Sequence, residues 1–78
     1  MSEGEILVWL KFDKYRKLVE TCEITAKPAK EIARLINESV SETGDMLETL
    51  ERHKAVEYRE GGWKATELAI RVLNKYFR

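Results

Sequence analysis

The chain has 78 residues, 44 % apolar and 36 % charged, and its 14 basic and 14 acidic side chains give a formal net charge of zero. That balance reads as one small globular domain and excludes both a disordered tail and a uniformly cationic nucleic-acid coat. The apolar run "ILVWL" at 6–10 is far short of the roughly 20 residues that span a bilayer, and no cleavable signal follows it.

Cys22 is the only cysteine, so no internal disulfide can form, and a cytoplasmic location with no membrane association is expected. A chain of this length buries only about 60 to 65 % of its unfolded surface, so its stability is marginal unless close packing or a partner contributes. The charge is unevenly laid out. Residues 1–37 sum to +1, residues 38–51 to −5, and residues 52–78 to +4.

No Pro or Gly interrupts the chain between Glu5 and Ile24, which predicts a first helix over about 3–21. Val8, Phe12, Tyr15, Val19 and Cys22 recur at spacings of four and three and form one stripe on it. Ile6, Trp9 and Leu10 project away from that stripe. The alternative is that "ILVWLKF" begins as a strand.

A second helix is predicted over about 28–36, with Pro28 at the first helical position and Ile32, Leu35 and Ile36 on one face. Asn37 tolerates the left-handed conformation that ends a helix. "SVSE" at 39–42 is a capping box. In it the Ser39 hydroxyl accepts from the amide three residues on while Glu42 reaches back. The third helix, about 40–53, buries Met46, Leu47 and Leu50.

After Lys54 the period changes to an alternation with a Gly-Gly pair, which predicts a hairpin over about 55–66. With the turn at Gly61–Gly62, Tyr58 faces Ala65 and Arg59 faces Lys64 across the ladder. Val56, Tyr58, Trp63 and Ala65 then share the core side. Thr66 caps a last helix over about 67–76, where apolar residues from Leu68 to Phe77 cover about 200° of the circumference.

The segments "AKEIARLINESVSETGDMLETLERHKAVEY" and "GGWKATELA" together resemble the winged helix-turn-helix family, especially small archaeal and bacterial transcription regulators. The resemblance spans about 24–70. It implies an α+β, mostly α fold in one domain over 1–78, with a three-helix core, a β-hairpin wing and a C-terminal helix. "KEIA" looks like the start of the positioning helix and "MLETLERHKAVEY" like the end of the recognition helix entering the wing.

Three positions depart from the family pattern. Glu38 stands where an aliphatic residue is usual, with Val40 expected to fill that space. Thr43, beside Gly44, takes a buried aliphatic position. Ser41, Asp45 and Glu48 occupy recognition positions that are commonly basic or amide.

The resemblance implies a double-stranded DNA-binding regulator. Phosphate contacts are expected from Lys27, Lys30, Arg59 and Lys64, with hydroxyl contacts from Ser39, Ser41 and Thr43. Arg59 and Lys64, placed opposite each other, repel, and an anion between them would relieve the repulsion. The alternative is a protein-interaction module in a transcription or replication assembly, which offers Glu42, Asp45 and Glu48 to a basic protein partner.

A homodimer is expected through surplus apolar surface on the terminal helices, at Ile6, Trp9, Leu10, Leu68, Val72 and Tyr76. His53 is the only histidine, and no nucleophile–base pair or metal-ligand spacing stands out. No catalytic residue, metal or cofactor is therefore expected.

Overall fold

Residues 3–78 are described by a computed structural model; Met1 and Ser2 of the expected 1–78 domain lie outside the described residues. The elements run α1 (Glu3–Leu10), α2 (Asp13–Thr21), α3 (Ala29–Ile36), α4 (Val40–Arg52), β1 (Val56–Arg59), β2 (Gly62–Ala65) and α5 (Glu67–Tyr76). The architecture is α+β and mostly helical, with five helices and one antiparallel hairpin among the described residues.

The single helix expected over 3–21 is two helices, broken at Lys11–Phe12. On one straight helix, Ile6 and Leu10 would point roughly 145° away from Leu18, Val19 and Cys22, because each residue turns the wheel by about 100°. The break lets both groups into one core, where all five are fully buried. The predicted stripe is correspondingly overturned at its start, for Val8 and Phe12 are each 56 % exposed. Arg16 stitches the break. Its guanidinium donates to the Leu10 carbonyl at 3.1 Å and pairs with Asp13 at 2.7 Å.

Helix boundaries follow local chemistry. Pro28 is the N-cap of α3 rather than its first residue, and its carbonyl accepts from Glu31 and Ile32. Asn37 ends α3 in the left-handed region, with φ 63° and ψ 47°. Ser39 caps α4 by accepting from the Glu42 amide at 3.0 Å; only this half of the expected box is made among the described residues. Thr66 caps α5 by accepting from the Ala69 amide at 3.1 Å.

α3 buries Ile32, Ala33 and Ile36, whereas Leu35, expected on that face, is largely exposed. Glu38, at the position where an aliphatic residue was expected, is held by an ion pair to Lys14 at 3.3 Å. Val40 does not fill the space. It is 54 % exposed.

The hairpin register differs from expectation by two residues: Val56 pairs with Ala65, Glu57 with Lys64, Tyr58 with Trp63, and Arg59 with Gly62. The turn is therefore Glu60–Gly61, both at positive φ (50° and 82°), as a type I′ turn requires. Gly62 is needed elsewhere. A Cβ on it would stand 3.0 Å from the Lys27 nitrogen and 3.1 Å from the Ala26 carbonyl carbon. Val56 and Ala65 are buried on the inward face as expected, but Tyr58, expected on the core side, is 56 % exposed and packs edge-on against the half-buried Trp63 at 5.1 Å.

Two glycines thus have opposite consequences. Gly62→Ala should lower stability by about 1–3 kcal/mol, because the groups it meets are backbone. Gly44 lies inside α4 with nothing within 4 Å of a Cβ, so Gly44→Ala should raise stability by about 1 kcal/mol. Urea unfolding of the two variants checks both signs.

Candidate functional site

The α2–α3 connection and β2 meet at the carbonyl end of α2. Lys27 and Trp63 exchange two backbone hydrogen bonds, Lys27 donating at 3.0 Å and Trp63 donating at 2.7 Å, which adds a third short edge beside β2. The Ala65 amide donates to the Cys22 carbonyl at 3.0 Å. Two ammonium groups complete the junction. Lys27 Nζ donates to the Thr21 carbonyl at 2.9 Å and Lys64 Nζ to the Glu23 carbonyl at 3.2 Å. Carbonyls at a helix C-terminus are unsatisfied and carry partial negative charge, so cations are favoured there.

This geometry changes the reading of the expected phosphate contacts. Lys64 lies opposite Glu57, not Arg59, so the repelling pair that would have held an anion is absent. Arg59 is exposed and lies 3.5 Å from Glu57. Ser39 is engaged as a helix cap. Thr43 is fully buried, its hydroxyl without a hydrogen-bond partner, so it is closed to any ligand at the surface. Lys30 and Ser41 alone of the seven are exposed with no side-chain partner among the described residues. Arg34, one turn beyond Lys30, is likewise exposed, and with Pro28 and Glu31 the two line a shallow apolar-floored cleft.

α4 presents a different surface. Its buried side is Thr43, Met46, Leu47 and Leu50, which leaves Ser41, Asp45, Glu48 and, at its C-terminal end, Arg52 along the outermost line. Glu42, Asp45, Glu48 and Glu51 are all exposed, and none belongs to an ion pair among the described residues. Arg52, the one cation of α4, reaches Thr49 Oγ1 at 3.5 Å. Leu35 and Val40 are exposed apolar side chains on either side of the α3–α4 turn.

The expected dimer surface is not available as drawn. Ile6, Leu10 and Val72 are fully buried within one chain, because α1 packs on α5 and Glu3 reaches Arg71 at 3.7 Å and Lys75 at 3.5 Å. Trp9 and Leu68 are half-buried, and Tyr76 is exposed. Trp9 heads an aromatic cluster with Phe12, Tyr15 and His53, at centroid distances of 6.1, 5.1 and 5.6 Å. His53 Nδ1 lies 3.7 Å from Glu5.

Burial pushes the Cys22 thiol up to about 11, despite the nearby charges of Lys27 and Lys64, so it stays a thiol that packs as an apolar group. No group of three His, Cys, Asp or Glu stands close enough to hold a metal among the described residues. No helix among them is long and apolar enough to cross a membrane. No family model, curated protein or solved structure matches the chain.

The same junction carries a pH dependence. Arg78 donates from both terminal nitrogens to the Glu23 carboxylate, 2.9 Å for one of them, and holds Glu23 below the usual carboxylate range against a smaller effect of burial. A lowered carboxyl pKa contributes stability above its unfolded value, about 4.3, and loses it as pH falls through the lowered folded value. Arg78→Ala should remove that acid-side loss and leave the neutral-to-basic profile parallel to the native one. Urea midpoints measured between about pH 2 and 7 test this.

Proposed function

We propose that this chain is a winged-helix-like protein-interaction module whose α4 surface meets a basic protein partner, in keeping with a role in a transcription or replication assembly. The order α3, Asn37 turn, α4, hairpin, α5 is compatible with a winged-helix arrangement, and the Lys27–Trp63 bridge supplies the short third edge beside the hairpin. One observation carries the functional part. Four exposed carboxylates line α4 without ion-pair partners, while the hairpin lysine that should have offset them is turned onto a backbone carbonyl. Opposite potentials speed encounter and fix register, and the adjacent Val40 and Leu35 give a protein partner apolar surface to cover.

Double-stranded DNA is the second reading, with the chain as a transcriptional regulator. Lys30 and Arg34 favour it, being exposed, unpaired among the described residues, and one turn apart on α3, Lys30 in its first turn and Arg34 in its last. It requires those contacts to outweigh the repulsion between phosphates and Glu42, Asp45 and Glu48.

Fluorescence anisotropy separates the two. A labelled lysine-rich peptide and a labelled duplex are each titrated with native protein and with the Asp45→Lys/Glu48→Lys variant, at low and moderate salt. The protein-interaction reading expects salt-sensitive peptide binding that the variant loses by about tenfold or more, and no salt-sensitive duplex binding by native protein. Native binding to duplex that falls steeply with salt, and tightens several-fold in the variant, would establish the DNA reading instead.

A further inference from the structure

The outer side of α3 carries unpaired positive charge and the outer side of α4 unpaired negative charge. With Ile32, Ala33 and Ile36 buried, Lys30 and Arg34 stand about 40° apart on the exposed side of α3. Both are exposed, neither is ion-paired among the described residues, and the cleft they line with Pro28 and Glu31 has an apolar floor. On α4, Asp45 and Glu48 are exposed, equally unpaired among those residues, and about 60° apart. The chain as a whole has a formal net charge of zero, so no long-range repulsion holds two copies apart.

The two charge pairs have matching spacing. Lys30 and Arg34 are separated by about 6 Å along α3, and Asp45 and Glu48 by about 4.5 Å along α4. Within each pair the side chains sit on opposite flanks of the outward line. When α3 of one copy crosses α4 of another antiparallel, like flanks meet, so Lys30 falls beside Glu48 and Arg34 beside Asp45. A parallel crossing exchanges the flanks and sets Lys30 beside Asp45 and Arg34 beside Glu48. Each cation meets a carboxylate in both. The countercharges stand clear of the match. Glu31 lies about 60° round α3 from Arg34, on the side away from Lys30, and Arg52 lies about one turn past Glu48.

We infer that a second copy of this chain docks on α4, offering Lys30 and Arg34 of its α3 as the basic surface. This names a partner for the α4 surface and rests on the protein-interaction reading. Because one face meets a different face, the contact is heterologous. Exposed ion pairs are individually weak and screened by salt, so self-association is expected on the order of 1 mM at low salt and is lost at moderate salt.

Sedimentation equilibrium at low and moderate salt tests it on native protein, Lys30→Glu/Arg34→Glu, Asp45→Lys/Glu48→Lys and the quadruple variant that combines them. Lys11→Glu/Lys17→Glu, which changes two exposed lysines elsewhere, matches the net charge of the first pair. All six positions are exposed, and circular dichroism verifies that the fold is kept. Native protein should associate at low salt, and each double reversal on α3 or α4 should weaken this by about tenfold or more. The quadruple variant, with zero net charge and both faces reversed, should recover most of it. Lys30→Glu/Arg34→Glu should lose clearly more than its charge-matched control. A native protein monomeric at about 1 mM in low salt overturns the inference. So does a quadruple variant no better than the doubles, or an α3 reversal no weaker than the control. Should such a monomeric protein still bind the lysine-rich peptide, only this inference falls; should it bind neither, the reading of α4 falls with it.

Discussion

The arrangement depends on one close contact, that of Gly62 with the backbone of Ala26 and Lys27. A glycine there lets β2 approach the α2–α3 connection closely enough for Lys27 and Trp63 to exchange hydrogen bonds. Once β2 is fixed, Ala65 reaches the Cys22 carbonyl and Lys64 the Glu23 carbonyl, so the carbonyl end of α2 is satisfied by groups that are remote in sequence. The turn must then form at Glu60–Gly61, although it places a glutamate at positive φ. A left-handed non-glycine residue costs roughly 1–2 kcal/mol, and the junction offsets that cost.

The same contact redirects charge. A positive C-terminal third beside a negative middle suggests a cationic hairpin counteracting an acidic helix. In the folded chain Lys64 turns toward α2, Arg59 lies beside Glu57, and Arg71, Lys75 and Arg78 are drawn to Glu3 and Glu23. Most exposed pairs of this kind contribute little to stability. They nevertheless decide which charges face outward unaccompanied, and the carboxylates of α4 are prominent among those.

Features set by neighbours within one turn were legible in the sequence. Ser39 and Thr66 mark helix starts because each side chain accepts from the amide three residues on, and Asn37 marks a helix end because it tolerates the left-handed backbone there. The inward placement of Val56 and Ala65 was legible too, since the register moved by two residues and an even shift keeps each side chain on its face. Features that depend on distant groups were not. Either glycine of the Gly61–Gly62 pair satisfies a turn, and only the backbone at 26–27 distinguishes them. The break at Lys11–Phe12 follows from α1 packing on α5 while α2 packs on α3 and β2, although Asp13 placed three residues before Arg16 was a faint local sign of a new helix start. Lys64 reads as a free cation because its acceptor lies 41 positions away.

The most direct test is the unfolding free energy of Lys27→Met and Lys64→Met, which keep an apolar stem and remove the ammonium. If these lysines anchor the hairpin to α2, each variant should lose about 1 kcal/mol in the absence of any ligand. Native stability in both, together with a loss of duplex affinity, would show that the two cations serve nucleic acid instead, and would contradict the account.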